Sequence, residues 1–142
     1  MSEATTTVHR NRTILVADDE AHILHVVSLK LRNAGYEVLT AADGEEAFEV
    51  ACATPPDLVI TDLQMPFMTG LEFAARLRAN PPTAHIPALL LTARGHALSQ
   101  ADLANTAIRE VLSKPFSPRE VLAKVEAMLG GAPRADAGAD AA

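Results

Sequence analysis

This chain predicts an α/β fold built on a doubly wound parallel sheet, and three observations point to it. Apolar runs recur at Ile14-Leu15-Val16-Ala17, Leu58-Val59-Ile60 and Ala88-Leu89-Leu90-Leu91. Such unbroken runs suit strands buried on both faces of a sheet rather than on one. Stretches with helical spacing lie between them, so strand and helix alternate five times. Each run ends on charged or hydroxyl residues, and the carboxyl ends of strands in an open parallel sheet gather at one edge. Short right-handed crossovers complete a (βα)5 arrangement, with 2-1-3-4-5 the expected strand order.

The elements follow in order. The first strand is expected at Thr13–Ala17. A helix from Glu20 to Asn33 follows, its apolar stripe made by Ile23, Val27 and Leu31 with Leu24 alongside. Gly35 supplies a left-handed cap. Tyr36–Ala41 reads as the second strand. Asp43-Gly44 is a turn into a helix over Glu45–Ala53. Pro55-Pro56 ends that helix before the third strand, Asp57–Asp62. Pro66 and Gly70 bracket a loop before the helix Leu71–Asn80, which Pro81-Pro82 breaks. Pro87 opens the fourth strand, which ends at Thr92. Gly95–Asn105 is weakly helical and largely polar. Ile108–Ser113 is the fifth strand, and its alternation around Arg109 and Glu110 marks a sheet edge. Ser117 as N-cap, Pro118 in the first helical position and Glu120 completing a capping box start the last helix. Val121, Leu122, Val125 and Leu129 form its apolar stripe. The expected organisation is a flexible leader at 1–12, one domain at 13–129 and a flexible tail at 130–142.

Composition narrows the function. The 142 residues are 49% hydrophobic, enough for a core, but only 4% aromatic with no Trp, so that core is aliphatic. A net charge of −6 argues against a nucleic-acid-binding face, which needs a basic stripe. A lone cysteine, Cys52, cannot form an internal disulfide and reads as a small apolar helix residue. Met1–Arg12 has no apolar stretch of the kind a signal peptide requires, and no run is long enough to span a bilayer. A soluble, cytoplasmic protein is expected.

The strand ends carry the chemistry. Asp18, Asp19, Asp62, Thr92 and Lys114 are far apart in sequence, yet the sheet should bring them together. Clustered carboxylates repel unless a cation joins them. Oxygen donors without soft ligands select Mg²⁺, Mn²⁺ or Ca²⁺ over zinc. A carboxylate beside such a cation can act as a nucleophile toward phosphorus, with Asp62 as acceptor. Lys114 suits the phosphoryl oxygens as a point charge, and Pro115 would help to aim it. Thr92 can donate a hydrogen bond to a phosphoryl oxygen, a contact that exists only after transfer. Bland readings stand beside these: Asp18 as the cap of the first helix, Thr92 as an ordinary strand-end hydroxyl.

Taken together, Asp18-Asp19, Asp62 with Met65-Pro66 and Gly70 after it, Thr92-Ala93, and Lys114-Pro115-Phe116 resemble the receiver domain of two-component response regulators. The likeness covers about Thr13–Leu129. It implies a flavodoxin-like three-layer sandwich. It implies Mg²⁺ held by Asp19, Asp62 and the backbone carbonyl of Gln64, with Asp18 acting through water. It also implies phosphoryl transfer to Asp62 from a sensor histidine kinase or histidine phosphotransfer protein, slow self-catalysed hydrolysis, and signalling to a further protein as a monomer or a phosphorylation-dependent dimer. With only a short tail after Leu129, a stand-alone receiver is expected.

Two positions depart from the family's pattern. Val111 stands where receivers often carry Tyr or Phe, so an aromatic rotamer switch is not available. Ala107 stands where a glycine usually precedes the fifth strand, so the Gly95–Ala107 loop is expected to be unusual. Gln64 and Arg94, each two residues beyond a site residue, are expected to tune phosphoryl lifetime. His22 and His25 read as a solvated helix face near the site, and His9, His85 and His96 as surface residues. Met65, Phe67 and Met68 admit two readings, as exposed contacts for a partner or as residues packed on their own loop. Two other functions compete. An aspartate-nucleophile phosphatase of the haloacid dehalogenase type wants an acid where Gln64 stands. The other is a non-phosphorylated binding domain of flavodoxin-like fold, in which a flavin site wants a hydroxyl- and glycine-rich loop where Asp18-Asp19-Glu20 stands.

Overall fold

The computed structural model describes residues 12–93 and 98–130. Five strands, β1 (Thr13–Ala17), β2 (Glu37–Ala41), β3 (Leu58–Asp62), β4 (Ala88–Thr92) and β5 (Ile108–Ser113), form one sheet in the order β2-β1-β3-β4-β5. All neighbouring pairs are parallel. The helices are α1 (Ala21–Asn33), α2 (Gly44–Ala53), α3 (Gly70–Ala79), α4 (Gln100–Leu103) and α5 (Pro118–Met128), and a 3₁₀ turn covers Pro81–Thr83. Fold class and strand order are those the sequence predicts. No helix among the described residues is long and apolar enough to cross a membrane.

Alternation along the strands sorts the core into two layers. Ile14, Val16, Leu58, Ile60, Leu89 and Leu91 pack with Val27 and Leu31 of α1 and with Val121 and Val125 of α5. Leu15, Ala17, Val59, Ala88 and Leu90 face the other way, onto Ala47 and Ala51 of α2 and Phe73, Ala74 and Leu77 of α3. Every residue of β3 and β4 is buried, whereas β2 and β5 expose part of their length as edge strands do.

Local chemistry sets the boundaries. Gly35 at φ +103° closes α1, with its N–H on Arg32 O and that of Tyr36 on Leu31 O. This double bond is a Schellman cap, and it takes Tyr36 out of β2, where the sequence places it. Asp57 likewise sits outside β3, because its carboxylate accepts the Thr13 N–H at 2.7 Å. Asp43 is more than a turn residue. Its side chain caps α2 through the Glu46 N–H, and Glu46 reaches back to the Ala42 N–H. Of the weak helix expected over Gly95–Asn105, residues 95–97 lie outside the described residues; in the remainder the helix covers four residues, held by a Ser99–Asp102 capping box with no buried side chain. Without an apolar stripe to bury, that segment has nothing to extend it. Leu122 and Leu129 are half-buried rather than core, because only Val121 and Val125 of α5 point at the sheet. Cys52 lies on α2 with its side chain exposed. At the opposite edge from the strand carboxyl ends, the Arg12 guanidinium donates to Leu129 O at 3.2 Å. Residues 1–11 and 131–142, most of the leader and tail expected from sequence, lie outside the described residues.

Candidate functional site

Strand register explains how residues nearly a hundred positions apart come together. Ala17 pairs with Thr61, Asp62 with Leu91, and Thr92 with Ser113, so the carboxyl ends of the four strands stop within a residue of one another. The chain then continues the ladder for one step. Asp18 N–H donates to Ala41 O, Leu63 N–H to Leu91 O, and Lys114 N–H to Thr92 O. The side chains at these steps therefore project from one rim.

Three carboxylates converge there. One oxygen from each of Asp18, Asp19 and Asp62 lies within 4.8 Å of the others. Asp18 and Asp62 are buried and Asp19 is exposed. Asp62 Oδ1 accepts from Lys114 Nζ at 3.1 Å, and its Oδ2 from the Gln64 N–H at 3.2 Å. Asp18 Oδ1 accepts the Glu20 N–H at 2.9 Å, while Oδ2 is buried with no partner among the described residues. Glu20, not Asp18, occupies the cap position of α1, and no side chain caps it. A buried carboxylate oxygen left unsatisfied costs about 1–3 kcal/mol, so the bland reading of Asp18 as a helix cap does not account for its position.

Burial and crowding raise the proton affinity of these acids. Burial pushes Asp18 up to about 6, against the single opposing hydrogen bond from Glu20, with the charge of Asp62 adding to the rise. Asp62 is also raised, by burial first; Lys114 and the Gln64 N–H oppose this without cancelling it. For Lys114 burial disfavours the charge, but the bond to Asp62 and the charges of Asp62, Asp18 and Glu20 prevail and lift it above the usual lysine value. A divalent cation answers such a set, since it neutralises the excess negative charge and takes the orphaned oxygen as an inner or water-mediated partner. The all-oxygen donors match a hard cation.

The loop from Asp62 to Gly70 is held tightly. Gly70 N–H donates to Leu63 O at 2.9 Å. A Cβ on Gly70 would lie 2.3 Å from the Asp62 carbonyl oxygen, so only glycine lets α3 start against the end of β3. Thr69 and Glu72 cap that start with a reciprocal box. Gly44 is tight for the same reason, since its Cβ would meet Met68 Cβ and O at 2.7 Å. Met65 and Met68 are buried, so they pack on their own loop, whereas Phe67 is 83% exposed. The packed reading of that trio holds for Met65 and Met68, while Phe67 is exposed.

Thr92 is buried at the rim, and its Oγ1 finds no partner among the described residues. Lys114-Pro115 is cis. Val111 is half-buried against the α2–α3 side of the core, and Ala107 is buried with its N–H on Ala74 O. His22, His25 and His85 are exposed, as expected of surface histidines; Arg94, His9 and His96 lie outside the described residues. Glu20 joins the site without a motif of its own in the sequence. Its carboxylate stands 3.6 Å from Lys114 Nζ, a second claim on the same ammonium. The available signal was its place directly after the acidic pair.

An acid-rich rim with one half-buried lysine, on a 2-1-3-4-5 parallel sheet, defines a phosphorylation-type signalling domain rather than a nucleotide or flavin fold. The chain belongs to the response regulator receiver domain family, whose model matches residues 14–126. It is 37% identical over 118 residues to the phosphate regulon transcriptional regulatory protein PhoB of Pseudomonas aeruginosa, across 83% of this chain and 52% of that protein. The chain spans about half the length of the curated relatives it matches. Among solved structures it superposes on the chemotaxis response regulator CheY4 of Vibrio cholerae with a TM-score of 0.76 and 35% identity, over 82% of this chain and 97% of that one. It also superposes on the receiver domain of the sensor histidine kinase PA1611 of Pseudomonas aeruginosa (TM-score 0.75, 25% identity, 85% and 99% coverage), which holds a magnesium ion in its active site cleft. Receivers are signalling modules and not, in general, enzymes.

Proposed function

We propose that Asp62 accepts a phosphoryl group from a phosphohistidine on a sensor kinase or histidine phosphotransfer protein, and that the modified chain signals to a further protein in the cytoplasm. The observation that carries this reading is the 3.1 Å pairing of Asp62 with Lys114 inside a cluster of two further carboxylates. Asp19, Asp62 and the Gln64 carbonyl would hold Mg²⁺, with Asp18 acting through water. Bound there, the cation would neutralise charge on the incoming group and on the acceptor.

The chain's own residues supply the rest. Asp62 forms the new O–P bond as the P–N bond to the donor imidazole breaks, and the departing nitrogen takes a proton from solvent. Lys114 leaves the carboxylate for a phosphoryl oxygen, holding the same charge over the group as it arrives. Thr92 then gains the partner its buried hydroxyl lacks, which draws the β4 end toward the site. Asp62 has no neighbouring general acid at Gln64 to speed hydrolysis, so loss of the group is slow.

Intact mass after incubation with Mg²⁺ and acetyl phosphate tests the reading. Wild type is expected to gain one phosphoryl group and Asp62→Ala none. Equal labelling of both proteins would place the acceptor elsewhere.

A further inference from the structure

Among the described residues, Phe67 and Leu29 are the large apolar side chains left exposed, at 83% and 49%. Phe67 differs in its backbone as well. It is the one non-glycine described residue at positive φ, +70°, and it sits between Pro66 O and Met68 N–H, which bond across it at 2.7 Å. A bond spanning three residues about a central φ near +75° is the strained form of the γ-turn. A bulky side chain disfavours that backbone, and glycine or asparagine would hold it at less strain. Nothing inside the chain calls for an aromatic ring there, because the ring is in solvent.

The mount beneath it is rigid. Met65 and Met68 are buried on either side, Met68 is locked against Gly44, and the loop closes at its base where Gly70 abuts the Asp62 carbonyl. Phe67 is three residues from that base, within about 11 Å along the chain. An exposed apolar tip thus stands on the short, packed loop that leads out of Asp62. The mouth of the carboxylate cluster is acidic: Asp18, Asp19, Asp62 and Glu20 surround one Lys114. Charge at this mouth, with a cation bound, is taken up by the phosphoryl group, so contacts independent of charge add affinity for the protein that carries it. A ring presented outward on a stiff turn provides one, with little ordering entropy left to lose.

We infer that Phe67 is a docking anchor, inserting into an apolar pocket on the protein that carries the phosphohistidine to Asp62. The inference rests on the reading of Asp62 as acceptor, and the test separates the two. The variants are Phe67→Ala, which removes the ring and keeps the strained turn, and Phe67→Gly, which removes the ring and relieves it. The donors are acetyl phosphate, which has no surface to dock, and the phosphorylated histidine kinase from the same genome that transfers fastest to wild type. Both variants should label like wild type with acetyl phosphate. Both should lose about tenfold or more in kcat/KM from the kinase, through KM, as truncation of an interface aromatic does. Phe67→Gly should also be the more stable of the two in urea, so that it carries the test if Phe67→Ala folds poorly. Kinase transfer equal to wild type would overturn the inference and leave the ring to a protein that reads the phosphorylated chain. Loss of acetyl phosphate labelling in both variants would overturn it too, by placing Phe67 in the site itself. Failure of wild type to label with either donor would instead remove the acceptor reading beneath it.

Discussion

On the β3 flank of the site, α3 buries Gly70, Phe73, Ala74 and Leu77 and starts on a reciprocal capping box. On the β5 flank, α4 has the same kind of box but only four residues and no buried side chain. Asp62 belongs to the first flank, and Thr92, whose hydroxyl has no partner among the described residues, to the second. Capping chemistry is therefore equal on the two sides, while apolar burial is not, and burial sets how firmly a helix holds its neighbours. The β3 flank has the build of a mount for chemistry. The β5 flank, where Val111 is only half-buried and the β4–β5 register slips at Ala88/Leu89, has the build of a part that moves.

Matched leucine truncations break or sharpen this contrast with the largest effect. Leu77→Ala, at a fully buried α3 position, should cost about 2–5 kcal/mol in urea unfolding. Leu103→Ala, half-buried on α4, should cost less than about 1 kcal/mol. Similar costs would mean the two flanks are equally anchored.

An intermediate effect is expected from pH on the β1–β3 side of the site. Asp18 holds its proton more tightly when folded, at about 6 against 3.8. Between those values the unfolded chain has already released the proton and the folded chain has not, so rising pH lowers stability across that window. In metal-free buffer the group should remove about 2 kcal/mol between pH 4 and pH 7, an order-of-magnitude figure. The difference in unfolding free energy between wild type and Asp18→Asn reads it directly, and Mg²⁺ at pH 7 should shrink that difference. A pH-independent difference would mean that Asp18 is not strained by its surroundings.

The smallest effect should come from Thr92→Val. Replacing a buried, unpaired hydroxyl by a methyl of similar shape should leave the unmodified protein as stable, or up to about 1 kcal/mol more so. After acetyl phosphate labelling, wild type should gain protection from hydrogen exchange along β4 and the variant should not. Equal protection would remove Thr92 from the switch.

Sequence made the sheet and the cluster legible because both depend on short-range signals. Apolar runs mark β3 and β4, and one polar residue at each run's end marks the rim. What stayed hidden depended on contacts between distant residues. Tyr36 looks like a strand residue until the Schellman bond to Leu31 claims its N–H. Gly44 looks like turn chemistry, but its lack of a side chain serves Met68, more than twenty residues on. The α4 segment has the cap signal of a helix without the apolar stripe, and four residues are what a cap alone sustains. Phe67 could not be separated from Met65 and Met68 by composition, since all three are apolar; the turn at Phe67 decides which one faces out.

The contact between the Arg12 guanidinium and Leu129 O places the entry and exit of the fold side by side, on the edge of the sheet away from the carboxylates. Polypeptide joined before Arg12 or after Leu129 thus attaches at a single place, remote from the chemistry. A neighbouring segment can be exchanged without disturbing the acidic rim. By the same geometry, a permuted chain, linked across Arg12 and Leu129 and reopened at an exposed turn, would keep every strand pairing in the sheet.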